Sequence, residues 1–317
     1  MSQSHDPHPI GVVYKSEPVR GQIWRRVFEA QAPDMALRIW PDVGDTSDVR
    51  YLVAWLPPDD LVSSFPKLEV LFSAGAGIDQ LDLDNVPSQV RIVRMVDPDL
   101  TNSMVEYATL GVLALHRDLP AYLASQRDGR WTPQQVRRAA DRTVGIMGLG
   151  VLGSALAETL RGFGFRLRGW SASRKSIAGM STFAGKGEYG EFLAGTDILI
   201  CLLPLTAGTR GILCASTFAA LPRGARLLNV GRGGHLVEAD LLSALETGQI
   251  DCAVLDVLGQ EPPVPDHKLL RHPRVIVTPH IASITHPEPA ARRVLEQIRR
   301  HRAGLELSDV IDRKRGY

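Results

Sequence analysis

A chain of 317 residues is too long for one small domain and too short for three; at about 100–200 residues per domain the expectation is two. Its 44% hydrophobic and 22% charged residues exclude a disordered or fibrous protein. Lys and Arg number 36 against 35 Asp and Glu, and the resulting net charge of +1 gives no electrostatic reason to bind nucleic acid or an anionic membrane.

Along the first hundred residues, Ile10–Tyr14, Tyr51–Trp55, Val70–Phe72 and Arg91–Val93 read as buried strands separated by helix-like stretches and by Gly, Pro and Asp punctuation. That alternation predicts an α/β layer structure. One long apolar helix is expected from Asn102 to about Ser125, then a polar, Arg-rich connector from Arg127 to Arg142. A second alternation follows, with strands at Thr143–Met147, Arg166–Trp170, Asp197–Leu202, Arg226–Val230, Cys252–Leu255 and Val275–Thr278. Helix-length segments between several of them predict a doubly wound parallel sheet. An amphipathic helix at about Pro289–Arg302 comes after that sheet has ended and is assigned to the first domain. The expected division is therefore a discontinuous domain of residues 1–100 and 284–317 and a doubly wound domain of residues 101–283.

Thr143–Met147 runs directly into Gly148-Leu149-Gly150-Val151-Leu152-Gly153 and then into a helical segment. A GxGxxG between a strand and a helix has a physical meaning that the isolated pattern lacks. The first glycine permits the tight turn, the second lets a pyrophosphate approach the backbone, and the third lets the helix pack close to the strand. The helix N-terminus offers N–H groups and partial positive charge to phosphate. NAD-selective sites place an acidic residue about 20 residues further on, at the end of the next strand. Here that stretch reads Trp170-Ser171-Ala172-Ser173-Arg174-Lys175, without an acid. Ser171 takes the acid's place, and Ser173, Arg174 and Lys175 offer hydroxyl and cationic donors to a 2′-phosphate. NADPH is the expected cofactor, with NADH as the alternative; a solvated basic turn is the plain reading of the same residues.

Three later segments bring polar residues to strand ends: Asn229-Val230-Gly231-Arg232-Gly233-Gly234, Leu255-Asp256-Val257 with Glu261 in the loop beyond, and Val277-Thr278-Pro279-His280. The carboxyl edge of an open α/β sheet is where ligands bind. With the Ser73–Asp79 segment (SAGAGID) and the glycine loop, these motifs in this order resemble the D-isomer-specific 2-hydroxyacid dehydrogenases over nearly the whole chain. The Trp170–Ser176 turn and the short interval from Glu261 to His280 are most similar to the glyoxylate and hydroxypyruvate reductase A branch.

The resemblance implies two doubly wound domains, Rossmann-type for the cofactor and flavodoxin-like for the substrate, with a cleft between them. It implies His280 as general acid, Glu261 as its partner and Arg232 as holder of the substrate carboxylate and carbonyl. The residue types suit this work: guanidinium is a bidentate donor to carboxylate, and imidazole moves protons near neutral pH. Asp256 resembles the residue that orients the nicotinamide carboxamide; at a strand end it would otherwise cap a turn. Leu203, Pro204, Thr209, Val230, Gly231 and Ser283 are expected beside the cofactor. The backbone N–H groups of Ala74, Gly75, Ala76 and Gly77 are expected on the substrate carboxylate, with Trp55, Met104 and Tyr107 as pocket walls.

The predicted activity is reduction of small 2-oxoacids, glyoxylate and hydroxypyruvate, to 2-hydroxyacids. The alternatives are a bulkier 2-oxoacid such as phenylpyruvate, or a non-catalytic dinucleotide-binding regulator. A homodimer is implied through the long helix and the connector, in which Trp131 either reaches a partner's active site or packs locally. Cys201, Cys214 and Cys252 lack metal-type or disulfide spacing, and His235 and His286 lack zinc spacing, so no metal is expected. No apolar run reaches the roughly 18 residues of a membrane span and the N-terminus carries no signal pattern, which predicts a cytoplasmic protein. Arg313-Lys314-Arg315 reads as a solvated tail.

Overall fold

A computed structural model describes residues 9–75, 77, 78, 80–96 and 98–313; Ala76, Lys314 and Arg315 lie outside the described residues. The chain divides into two compact units, Met1–Leu100 with Thr285–Tyr317, and Thr101–Ile284.

In the first unit the elements are β1 (Ile10–Lys15), α1 (Pro18–Gln31), β2 (Met35–Ile39), β3 (Val49–Ala54), α2 (Leu61–Ser64), β4 (Val70–Ser73) and β5 (Arg91–Val93). The strands pair in parallel in the order β2-β1-β3-β4-β5, the flavodoxin-like arrangement. β2 was not among the expected strands. It is an edge strand in which Met35, Leu37 and Ile39 are buried and Ala36 and Arg38 are not, so it offers no continuous apolar run.

The second unit begins with α3 (Pro98–His116), whose first turn belongs to the preceding unit, and α4 (Leu119–Arg127). Then follow β6 (Thr143–Met147), α5 (Val151–Gly162), β7 (Arg166–Ser171), β8 (Met180–Ala184), α6 (Tyr189–Ala194), β9 (Ile198–Cys201) and α7 (Ala215–Ala220). β10 (Ala225–Asn229), α8 (Glu238–Glu246), β11 (Ile250–Leu255), α9 (Lys268–Arg271) and β12 (Val275–Val277) complete it. Its seven parallel strands run β12-β11-β10-β9-β6-β7-β8. The order reverses between β9 and β6, so the loop after β6 lies at the topological switch point. The extra strand, β8, is another edge strand; of its residues only Phe183 is buried.

The expected long helix is two helices. Asp118 between them adopts φ 59°, and Pro120 opens the second. Buried Arg226 on β10 donates to the Leu115 carbonyl at the end of α3 and to the Asp118 carboxylate, and its Nη2 also meets Asp251 Oδ2 at 2.9 Å. The break is thus secured by a guanidinium from a distant strand.

α10 (Pro287–Arg302) returns to the first unit. Ala290, Ala291, Val294, Leu295 and Ile298 form its buried stripe, packed in one core with Val12, Tyr51, Val53, Val70 and Phe72 of the sheet. Each large aliphatic buried there contributes about 1.5–3 kcal/mol, and Arg299, Arg300 and Arg302 complement the negative end of the helix dipole. Beyond it, Arg313 is no solvated tail residue. Its guanidinium donates to the carbonyls of Leu83, Val86, Pro87 and Val90, which ties the chain end to the β4–β5 connection. Among the described residues no helix is long and apolar enough to cross a membrane.

Candidate active site

The glycine loop fits a dinucleotide. Gly148 sits at φ +103°, where a Cβ would meet the Leu202 carbonyl oxygen at 2.7 Å, so only glycine makes this turn. At Gly153 a Cβ would fall 1.9 Å from the Gly148 carbonyl oxygen, which is the close helix–strand approach. Gly150 faces open space, leaving room for phosphate before the N-terminus of α5, where Val151 is exposed and Leu152 half-buried.

At the end of β7, the Ser171 hydroxyl donates to the Ser173 carbonyl at 2.7 Å and so shapes the turn. Arg174 is exposed but engaged. Its Nη1 donates to the Thr182 carbonyl at 2.9 Å and its Nη2 pairs with Glu188. Glu188 also accepts the Ala184 N–H at 2.7 Å; that bond first, and Arg174 second, hold its carboxyl below the usual range. Ser173 and Lys175 are exposed. The loop after β9 is organised by Thr209, whose hydroxyl donates to the Pro204 carbonyl at 2.7 Å and accepts the Thr206 N–H at 2.8 Å. Leu203 is buried and Pro204 exposed.

Three neighbouring parallel strands deliver the remaining groups to one sheet edge: Arg232 after β10, Asp256 and Glu261 after β11, and His280 after β12. His280 Nδ1 lies 2.7 Å from Glu261 Oε2, while Glu261 Oε1 accepts the Leu258 N–H at 3.0 Å. With Nδ1–H donated to the carboxylate, the Nε2 edge of the ring is left for chemistry. His280 itself is held at φ 54°, and its N–H donates to the Asp256 carbonyl at 2.8 Å.

Asp256 is 1% exposed, and its carboxylate is directed into the protein. Oδ1 accepts the Thr278 hydroxyl at 2.6 Å and the Ile281 N–H at 2.8 Å; Oδ2 accepts the Ala282 N–H at 2.8 Å. The turn-capping alternative describes these bonds: Asp256 folds the segment that carries His280. Tyr107 of α3 donates its hydroxyl to Thr278 Oγ1, and burial raises its pKa. Tyr107 and Thr278 were not legible as parts of this chain of bonds, because α3 and the strand end meet only in the fold. Ser283, next after Ala282, is half-buried.

Beside the sheet edge, the Asn229 carboxamide brackets the following turn, donating to the Arg232 carbonyl at 3.1 Å and accepting the Gly231 N–H at 3.2 Å. Val230 is buried beneath it. Arg232 Nη1 donates to the Gly231 carbonyl at 2.8 Å. Of the expected pocket walls, Met104 is a buried core residue packed among Ala108, Val144 and Leu149. Trp131 is 98% exposed, so it does not pack locally within this chain.

In the first unit, the segment after β4 corrects the expected carboxylate donors. The Ala74 N–H is spent on the Ala54 carbonyl at 2.9 Å, continuing the sheet, and the Gly75 N–H is directed to Ser73 Oγ at 3.3 Å. Among the described residues the Gly77 N–H has no hydrogen-bond partner, and the Gly77 carbonyl accepts the Ser73 hydroxyl at 2.9 Å. Gly75 is required for a further reason: a Cβ there would stand 2.8 Å from the Trp55 indole that packs on it.

The sequence model for the NAD-binding domain of D-isomer specific 2-hydroxyacid dehydrogenases matches residues 109–282. This chain belongs to the D-isomer specific 2-hydroxyacid dehydrogenase family. It is 41% identical over 300 residues to a glyoxylate/hydroxypyruvate reductase A of Klebsiella pneumoniae (strain 342), covering 93% of this chain and 96% of that one. A family member from Xanthobacter autotrophicus Py2, solved with NADPH and MES, superposes with a TM-score of 0.91 at 40% identity, over 98% of this chain and 100% of the other. An NADPH-dependent glyoxylate/hydroxypyruvate reductase from Sinorhizobium meliloti, solved with NADP and sulfate, gives a TM-score of 0.90 at 37% identity, over 97% and 100%. These likenesses place the chain among dehydrogenases built of two parallel-sheet α/β units.

Proposed function

We propose that the protein reduces small 2-oxoacids, glyoxylate and hydroxypyruvate, with NADPH. The observation that carries this reading is the His280–Glu261 pair at 2.7 Å on the sheet edge that Arg232 shares. Bound in the glycine loop, NADPH supplies the hydride. The glycine cradle and the N-terminus of α5 hold its pyrophosphate, and Ser173, Arg174 and Lys175 receive the 2′-phosphate. Arg232 binds the substrate carboxylate and carbonyl. His280 Nε2 gives its proton to the carbonyl oxygen as charge develops there, while Glu261 holds the ring through Nδ1. Of the expected donors among the described residues, Ala74, Gly75 and Gly77, the last keeps its N–H for a carboxylate. The relatives named above support both the cofactor and the substrate class.

The direct test is loss of nicotinamide absorbance with NADPH or NADH and glyoxylate or hydroxypyruvate. Rapid NADPH oxidation is expected with both acids. Oxidation only with phenylpyruvate would replace the substrate class, and NADPH binding without oxidation of any 2-oxoacid would point to a regulator.

Cofactor choice has its own test. Arg174→Ala should raise the KM for NADPH about tenfold, the scale of one charge-assisted hydrogen bond, and leave the KM for NADH unchanged. An equal rise for both cofactors would mean that Arg174 acts only by tying the turn to Glu188 and Thr182. In a homodimer, which the exposed Trp131 arm supports, sedimentation should give twice the 34.6 kDa chain mass.

A further inference from the structure

His235 is completely buried, yet it is neither part of the acid–base pair nor a packing residue without polar partners. Its ring stands between two segments of the site. The Arg232 N–H donates to Nδ1 at 3.0 Å, and Nε2 faces the Pro204 carbonyl at 3.2 Å. A backbone N–H can only donate and a carbonyl can only accept. Both bonds therefore form together only in the neutral tautomer that carries its proton on Nε2; the other neutral tautomer forfeits both and keeps only an Nδ1–H bond to the Arg232 carbonyl at 3.2 Å. Packing around the ring is equally tight. A Cβ at Gly231 would stand 2.9 Å from His235 Nδ1 and 3.3 Å from the Leu203 carbonyl oxygen, so glycine is what lets the Arg232 turn, the ring and the β9 loop meet.

We propose that His235 is a positioning residue that braces Arg232, the substrate-carboxylate holder, against the cofactor loop at Pro204. The inference rests on the function proposed above and assigns to that site the group that couples its two halves. The Pro204 carbonyl completes the brace: it accepts Thr209 Oγ1–H as well as His235 Nε2–H, so both lone pairs of the loop's leading carbonyl are held. On the other side, the Asn229 carboxamide fixes the Arg232 carbonyl and the Gly231 N–H. The Arg232 backbone is thereby clamped at N–H and C=O alike, and its N–H clamp is the one that also touches the cofactor loop.

Two substitutions separate the two ends of the brace. In His235→Asn the side-chain Oδ1 takes the place of Nδ1 and keeps the Arg232 bond, but nothing reaches Pro204. In His235→Gln the Nε2 amide reaches Pro204, but the acceptor for the Arg232 N–H is lost. The Asn variant should weaken NADPH binding, measured by the fluorescence of the bound nicotinamide, by roughly three- to tenfold, with the KM for glyoxylate unchanged. The Gln variant should raise the KM for glyoxylate by a similar factor with NADPH binding unchanged. Equal effects of either variant on both constants, or no effect on either, would overturn the brace. The wild-type tautomer, read from the ring ¹⁵N shifts of His235, supplies a measurement that depends on no variant folding: a proton on Nε2 is required, and a proton on Nδ1 alone would overturn the inference. A wild-type chain that binds NADPH but reduces neither glyoxylate nor hydroxypyruvate would remove the proposed function; the tautomer and the NADPH affinity of His235→Asn would still decide the brace.

Discussion

His280→Asn is expected to lower kcat for glyoxylate reduction by about 10²–10⁴-fold, the range for loss of a positioned general acid, with NADPH affinity unchanged. Asparagine is the informative replacement because His280 sits at φ 54°. Asn tolerates that left-handed conformation, whereas most residues add backbone strain of about 1–2 kcal/mol. The bonds from the Asp256 carboxylate to Thr278, Ile281 and Ala282 do not involve the imidazole, so the segment should stay folded. The pH profile separates an acid from a spacer. As a general acid the ring must carry its proton for reduction to occur. Wild-type kcat should therefore fall on the alkaline side, and His280→Asn should lose that limb along with most of its rate. A variant that keeps the limb would show that another group supplies the proton.

For Arg232→Ala the expected loss lies in kcat/KM for the 2-oxoacid, about 10²–10⁴-fold, as two charge-assisted hydrogen bonds of about 1.5–3 kcal/mol each would give. NADPH binding should survive, for a structural reason. The turn is held through its backbone, by Asn229 on the Arg232 carbonyl and by His235 on the Arg232 N–H, and both bonds outlast removal of the side chain. Arg232→Lys keeps the charge but loses the planar fork, so it should recover only part of the loss. Parallel loss of NADPH affinity and turnover would instead make Arg232 a structural residue, with its Nη1 bond to the Gly231 carbonyl as the cause.

Burial also decides which thiols react. Cys201 and Cys252 lie within the sheet, and desolvation pushes both thiols up to about 12, so neither is nucleophilic near neutral pH.

The central strands of both sheets were legible because strands buried on both faces read as continuous apolar runs; Thr143–Met147 has the same limits in the sequence reading and in the fold. The edge strands β2 and β8 were not, because β2 alternates buried and half-buried residues and β8 buries only Phe183, so neither offers a continuous apolar run. Apolar residues on both sides of His116-Arg117-Asp118 concealed the break between α3 and α4, although Pro120 marked it; the buried guanidinium of Arg226, more than a hundred positions away, secures it.

What the sequence by itself determined is whatever depends on neighbours in the chain: the α/β class, the turn that only glycine can make at position 148, the packing glycine at 153, and the placing of polar residues at strand ends. Tertiary structure alone decided where those polar groups point. It turned Asp256 inward onto three donors, spent the Ala74 and Gly75 N–H groups on Ala54 and Ser73, and set Glu261 against His280. The reason is that backbone geometry follows from local sterics, whereas a hydrogen-bond partner is settled only when segments distant in sequence are brought within about 3 Å of one another.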